Sequence, residues 1–376
     1  MARKLQSDKW LFLATLALVC VSVVMVYSAS AVVALERFRL QPYHFVTRQA
    51  MWALLGLAVL SIVMRIDYRT YRNEHVIWGF IGIVAVLLVA VLFAARINGS
   101  RRWFGIGGFG IQPSELAKLA AIFFTALMLE RRMHRIDDLK YALLPIGLVV
   151  GGLGLLVFVE PDLGTAAAML LVVGVMVLAA GLHYSYVAAA ALLGTGLIGV
   201  AAMSADYRWQ RLIGFLDPWA DPDGAGYQII QSLIAVGSGG WFGRGLMGGM
   251  QKLFFLPEPH TDFIFAVISE ELGLLGATLV VACFCVIAWR GMRAAMAAPD
   301  RFGAFLALGI TAMVVAQAMI NLSVVLGLMP TKGISLPLVS NGGSSLLVNL
   351  AAMGVLLNIS QHAVHGDVAA GEPGAA

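Results

Sequence analysis

Residues 256–273 read LPEPHTDFIFAVISEELG. Asp262 stands directly ahead of the apolar run FIFAVIS, with Glu258 and His260 just before it. A carboxylate so placed can act as a general base towards a hydroxyl. His260 could polarise it, and Glu258 and His260 are candidates for contact with a substrate's polar groups. The same position also suits a helix cap, because Thr261 or Asp262 could accept the first free amides and a carboxylate is favoured at a helix N-terminus. Glu270 lies eight residues further on, about 12 Å along a helix axis, which is too deep for a cap. A structural partner is expected for it.

Basic residues supply a second chemistry. INGSRRWFGIGGFGIQPSE carries Arg101, Arg102 and Trp103; Arg211 follows in a later loop, and Lys332 in TKGISLPL. Arginine and lysine are the usual partners of phosphate oxygens, and arginine engages them in a two-pronged fork. The competing explanation is that the aromatics form interface belts and the arginines extend to water along the membrane surface. The combination of Arg101, Arg102, Arg211 and Lys332 on one side favours an anion site.

The elements that must position these groups are membrane helices. The 376-residue chain is 60% hydrophobic and 12% charged, whereas soluble domains carry about 25% charged residues. Apolar runs of the length that crosses about 30 Å of hydrocarbon recur along the chain. Ten spans are expected, near 10–33, 47–64, 76–95, 114–130, 141–159, 165–182, 185–203, 263–289, 303–327 and 340–360. The expected fold is an all-α polytopic membrane protein forming one integral membrane domain over 1–376. It has a large extracytoplasmic loop at 204–262, between spans 7 and 8, and a disordered tail at 363–376. With the N-terminus inside, the inner segments hold 13 Lys and Arg and the outer ones 11. The outer segments are longer, so the inner density is higher and an N-in/C-in orientation follows. The net charge of +4 is spread through short loops, which points away from nucleic acid. Cys20, Cys283 and Cys285 lie inside apolar runs and read as small core residues.

Charges within spans are costly and tend to pair or to face a cavity. Glu115 and Lys118, three apart in SELAK, share a helix face and can pair. Asp162 in EPDLGT is placed to cap the next helix. Gln317 and Asn321, four apart, suit hydrogen bonds between helices. In the large loop, GYQIIQSLIAVGS has the pattern of a short amphipathic helix at the interface.

LPEPHTDFIFAVISEELGLLG, DPWADPDGAGYQIIQSLIAVGSGGWFGRGL, INGSRRWFGIGGFGIQPSELAKL, EPDLGT and LPLVSNGGSSLL together resemble the SEDS family (shape, elongation, division and sporulation). The resemblance covers about residues 10–360. QKLFFLPEPHTDF and TKGISLPL are closer to division-type than to elongation-type members. It implies a ten-span peptidoglycan glycosyltransferase that polymerises lipid II in the bacterial cytoplasmic membrane at the division septum, with its active site facing outward. It also implies an essential aspartate, which maps onto Asp262, and an extracellular loop, which maps onto 204–262. Ser344, in SNGGSS, joins the substrate-binding candidates. The implied partners are a class B penicillin-binding protein that supplies the transpeptidase, and other division membrane proteins. Two departures are Asn341, where the family often has tyrosine, and an N-terminal tail that is short for a division-type member.

Residues and resemblance converge on one chemistry. The basic cluster would hold the donor's pyrophosphate and stabilise the leaving group, while Asp262 would deprotonate the acceptor hydroxyl. One direct displacement inverts the anomeric carbon, so a single carboxylate base suffices. No tightly bound cofactor is expected; a divalent cation (Mg or Mn) could assist at the pyrophosphate. The rival from another class is a transporter that flips a lipid-linked oligosaccharide, and an elongation-type polymerase is a further alternative.

Overall fold

Eleven helices carry the chain through the described residues, which in this computed structural model are 7–36, 39–94, 101–106, 109–186, 206–253, 255–331 and 333–369, with isolated positions between 188 and 199. They are α1 (Lys9–Glu36), α2 (His44–Val63), α3 (Glu74–Val91), α4 (Pro113–Arg132), α5 (Leu144–Val159), α6 (Leu163–Ala179), α7 (Asp206–Leu216), α8 (Tyr227–Ser238), α9 (Ile264–Met296), α10 (Arg301–Val325) and α11 (Gly343–Ala369). Seven segments are long and apolar enough to cross a membrane. Of the other predicted spans, 114–130 is α4 and 165–182 is the shorter, 17-residue α6. The seventh predicted span, 185–203, falls largely outside the described residues.

The packing explains why α4 tolerates charges. It touches α3, α5, α6, α10 and α11, and its side chains from Ser114 to Leu129 are nearly all buried, Glu115 and Lys118 among them. It is the axis of the bundle, and its polar groups face protein, where partners can satisfy them. On one flank α11 packs chiefly on α2; on another α9 packs on α1 and α10. The α2–α11 seam is close because glycines line it: a Cβ at Gly56 would collide with Leu350, and one at Gly354 would press on the Leu60 backbone.

The two ends of the bundle sort the loops. At one end the Asp8 amide donates to Ser360 Oγ (3.3 Å) and Arg290 pairs with Asp8. There too the Tyr68 amide donates to Asn358 Oδ1 (2.9 Å), and Arg72 pairs with Glu130 (3.0 Å). The start of α1 and the far end of α11 are therefore neighbours, as an even number of crossings requires. At the other end His260 lies against Phe45, with ring centroids 5.0 Å apart. The Asn341 amide donates to the His260 carbonyl (2.9 Å), and the Gln112 amide to Ser344 Oγ (3.2 Å). These are the segments the charge pattern assigns to the outer side.

Three local features differ from expectation. Residues 98–115 hold a small antiparallel hairpin, β1 (Phe104–Ile106) with β2 (Phe109–Ile111); alternation of glycine with large apolar residues in FGIGGFGI favours it. α11 runs to Ala369, into the segment 363–376 expected to be disordered, because Ala363–Ala369 holds no proline to stop the helix. α9 is broken at Gly273 (φ 66°, ψ −165°). A non-glycine residue there would be strained, and its Cβ would strike the Gly243 amide nitrogen.

Candidate active site

The break in α9 is filled by the large loop. Residues 240–245 run beside it, so that Arg244 and Gly245 amides donate to the Glu270 and Glu271 carbonyls (both 3.0 Å). In return the Leu274 and Leu275 amides donate to the Gly240 and Trp241 carbonyls (2.8 and 3.2 Å). Non-helical backbone at this depth survives because protein replaces the helix's own partners. The carboxylates then hold the next stretch of loop. Glu270 accepts from the Met250 and Gln251 amides (2.8 and 3.3 Å), with Arg244 at 3.6 Å. Glu271 takes the Lys252 ammonium (2.6 Å), Ser28 Oγ and the Met247 amide (3.1 Å). Glu270 is thus the structural group its depth predicted.

With the loop strapped down, residues 256–262 lie over the mouth of the bundle. The residue at the N-cap of α9 is Phe263, with no side-chain cap bond, so Asp262 is not a cap and its carboxylate is free of that duty. Its backbone is pinned instead: Asn321 Nδ2 donates to the Asp262 carbonyl (2.8 Å) and to the Ile334 carbonyl (2.7 Å). Ser340 Oγ donates to the neighbouring Thr261 carbonyl (2.5 Å). Gly333 lets TKGISLPL approach, since a Cβ there would stand 2.9 Å from Asp262 Oδ2.

The electrostatics set Asp262 apart. Burial pushes its carboxyl up to about 6, and the Glu258 charge, then that of Asp162, add to the rise; Arg102 and Arg211 pull the other way. These are the groups a base at this mouth should feel, and they come from four separate stretches of sequence. A carboxyl tuned towards neutrality is better matched to proton transfer than an ordinary aspartate.

Other predicted residues sort around this point. Asp162 caps α6 through the Thr165 amide (3.2 Å), as its place in EPDLGT predicts, and accepts from Gln112 Nε2 (3.0 Å) while Arg102 stands 3.9 Å away. Arg101 donates to the Leu92 carbonyl (2.7 Å), at the end of α3. Trp103 covers Gly110 of the hairpin. Glu258 is exposed, at φ 49°, and His260 is buried. Ser344 is buried, its hydroxyl accepting the Gln112 amide. Lys332 lies outside the described residues.

Beneath the mouth a polar chain runs through the bundle. Lys118 Nζ bridges Glu115 (3.0 Å) and Gln317 Oε1 (2.8 Å), Gln317 Nε2 donates to the Ser335 carbonyl (3.0 Å), and Ser345 Oγ donates to Glu115 (3.1 Å). Gln317 and Asn321 therefore hold the 334–335 backbone as well as joining helices. Sequence reasoning missed Gln112, Gly333, Ser340 and Glu160. Their signal was faint: each sits in a motif already noted, but none is of a type that announces chemistry by itself, except Glu160, which reads as the ordinary end of α5.

An apolar cavity of about 700 Å³ lies between α8 and α9, lined by residues including Trp241, Phe265, Leu274 and Val281, and holds no carboxylate or basic group.

Comparison with known proteins gives the chain its family. A family profile described as "Cell cycle protein", and named for FtsW, RodA and SpoVE, matches residues 9–365. Stage V sporulation protein E of Bacillus subtilis (strain 168) is 44% identical over 362 residues, covering 96% of this chain and 98% of that one. A probable peptidoglycan glycosyltransferase FtsW of Geobacter sulfurreducens is 42% identical over 355 residues, covering 94% and 95%. Among solved structures, a chain of a peptidoglycan synthase complex in which polymerization and crosslinking are coordinated superposes with a TM-score of 0.78 at 32% identity, covering 96% of this chain and 99% of that one. The rod shape determining protein RodA of Thermus thermophilus gives 0.69 at 28%, covering 95% and 97%.

Proposed function

Since this chain belongs to the SEDS family of polytopic membrane proteins, we propose that it is a peptidoglycan glycosyltransferase that polymerises lipid II at the outer face of the bacterial cytoplasmic membrane. The observation that carries the reading is Asp262. Its carboxyl is free of capping duty, pinned through its backbone by Asn321, and pushed up to about 6 by burial and the Glu258 charge against the pull of Arg102 and Arg211.

In the proposed reaction Asp262 takes the proton from the acceptor sugar's 4-hydroxyl. The oxygen attacks the anomeric carbon of the donor and the bond to the polyprenyl pyrophosphate breaks, inverting the centre. The leaving pyrophosphate carries the developing charge, and Arg102 and Arg211 stabilise it. Trp103, His260 and Glu258 border the same mouth and would shape the sugar sites. A divalent cation on the pyrophosphate belongs to this proposal. Among the described residues no three His, Cys, Asp or Glu side chains converge as a cage for it.

Within the family we assign the chain to the division-type, FtsW-like branch working at the septum, with lipid II as substrate and an FtsI-like class B penicillin-binding protein as partner. The relatives named FtsW support the branch, and the likeness to a peptidoglycan synthase complex supports a penicillin-binding partner. The equally similar sporulation protein marks the alternative within the family, and the elongation-type polymerase is another. The break in α9 favours one rival class, since interrupted helices are common in transporters. Purified protein with lipid II in detergent separates the two, with and without the partner. A polymerase yields glycan chains on a gel, whereas a flippase yields none in the absence of a membrane.

A further inference from the structure

Glu160 ends α5 in a place where a carboxylate is poorly tolerated. Its side chain is fully buried, and among the described residues neither carboxyl oxygen has a hydrogen-bond partner. It sits at a helix C-terminus, where the dipole opposes negative charge. The Asp162 carboxylate is two residues on. Close by, Arg102 is partly exposed and pairs only loosely with Asp162, its Nη1 3.9 Å from that carboxylate, while its Nε is buried without a hydrogen-bond partner among the described residues. One orphan donor and two orphan acceptors thus lie in one neighbourhood, and buried polar groups left unpaired are costly.

We propose that Glu160 is a positioning residue that acts through Arg102. With its carboxyl protonated, Glu160 leaves the guanidinium free to hold the substrate's pyrophosphate; ionised, it draws the guanidinium inward to a Glu160–Asp162 pair and away from the anion. The inference rests on the reading of Arg102 as a phosphate ligand. Burial pushes the Glu160 carboxyl up to about 8, and the Asp162 charge adds to the rise, while Arg102 acts against it. Asp162 and Arg102 are the charged groups that act on it among the described residues; α3 and α4, which also pack on α5, contribute none. At neutral pH the free-arginine state therefore prevails, and it is lost as pH rises through about 8. Asp262, raised to about 6, needs the opposite change. The two together confine activity to a window between them.

The test uses the full-length protein and Glu160→Gln, the shape of the protonated acid. Thermal unfolding from pH 5 to 9 reports whether Glu160 titrates. A group raised on folding gives stability that is complete below its unfolded value and is lost as pH rises through its folded one. The wild type should therefore lose stability towards pH 8 relative to the variant. Inorganic pyrophosphate binding, by calorimetry at pH 7 and pH 9, reports on Arg102. With about a tenth of Glu160 protonated at pH 9, the wild type should lose about tenfold in affinity relative to Glu160→Gln. Equal changes in both proteins, or no binding by either, overturn the proposal. If the pyrophosphate result holds but the wild type makes no glycan from lipid II at any pH, the positioning role stands and the proposed function falls.

Discussion

Asn321 Nδ2 donates to the backbone carbonyl of Asp262 at 2.8 Å, so the proposed base is held from α10 through its main chain, and among the described residues its carboxylate takes no hydrogen bond. The same amide group holds the Ile334 carbonyl. The two strands of the mouth, 256–262 and 333–340, are thereby fixed to one residue. A base held in this way can be tested without disturbing the fold.

Asp262→Asn keeps shape and hydrogen-bonding capacity but cannot take a proton. It should behave like the wild type on size exclusion and bind its partner normally, with glycan polymerisation down by about 10²–10⁴-fold. Normal polymerisation by a monodisperse Asn variant removes Asp262 from the chemistry.

The acid limb of the pH profile should report Asp262. A base titrating at about 6 works in its ionised form, so turnover should rise with pH through that value and stand about tenfold lower at pH 5 than on the plateau. Glu258 raises this carboxyl. Glu258→Gln should therefore move the midpoint to lower pH, measured as initial rate against pH. A midpoint unmoved, or moved upward, contradicts the assignment.

Arg102→Ala and Arg211→Ala each remove a charge-assisted contact to phosphate, a loss of about 1.5–3 kcal/mol or roughly 10–150-fold in lipid II use. Lysine should restore part of it, since it lacks the fork. Wild-type rates in both alanine variants would make these arginines membrane-surface anchors.

Lys252 and Glu271 form a buried pair, 2.6 Å apart, with side chains 2% and 0% exposed. Lys252→Met leaves a buried carboxylate unpaired and should cost about 3–5 kcal/mol, while the double change Lys252→Met with Glu271→Gln should cost less. Thermal unfolding of the three proteins in one detergent decides it. A double variant less stable than the single one would show that the pair is not coupled in this way.

Orientation is open to a direct measurement. A reporter fused near residue 230 should be extracytoplasmic and one after residue 365 cytoplasmic. The reverse would put Asp262 on the side where the proposed substrate is not presented.

Much of this protein is determined by the sequence alone. Long apolar runs specify crossing helices because backbone polar groups in hydrocarbon must be satisfied within the segment. Asp162 caps α6 and Lys118 meets Glu115 because both depend on spacing within one helix, which is local geometry. What only the tertiary structure decided are relations between distant segments. Whether Asp262 caps a helix could not be read from LPEPHTDF, since a cap is favourable for any such residue; the cap is excluded by where α9 begins, at Ile264 with Phe263 as its N-cap. The break at Gly273 is invisible in an apolar run, because a glycine there is compatible with an intact helix until residues 240–245 arrive to replace the lost hydrogen bonds. Glu160 looks like any helix-terminal glutamate in sequence. Its unusual state comes from burial, and burial is a property of the packed bundle rather than of the residue.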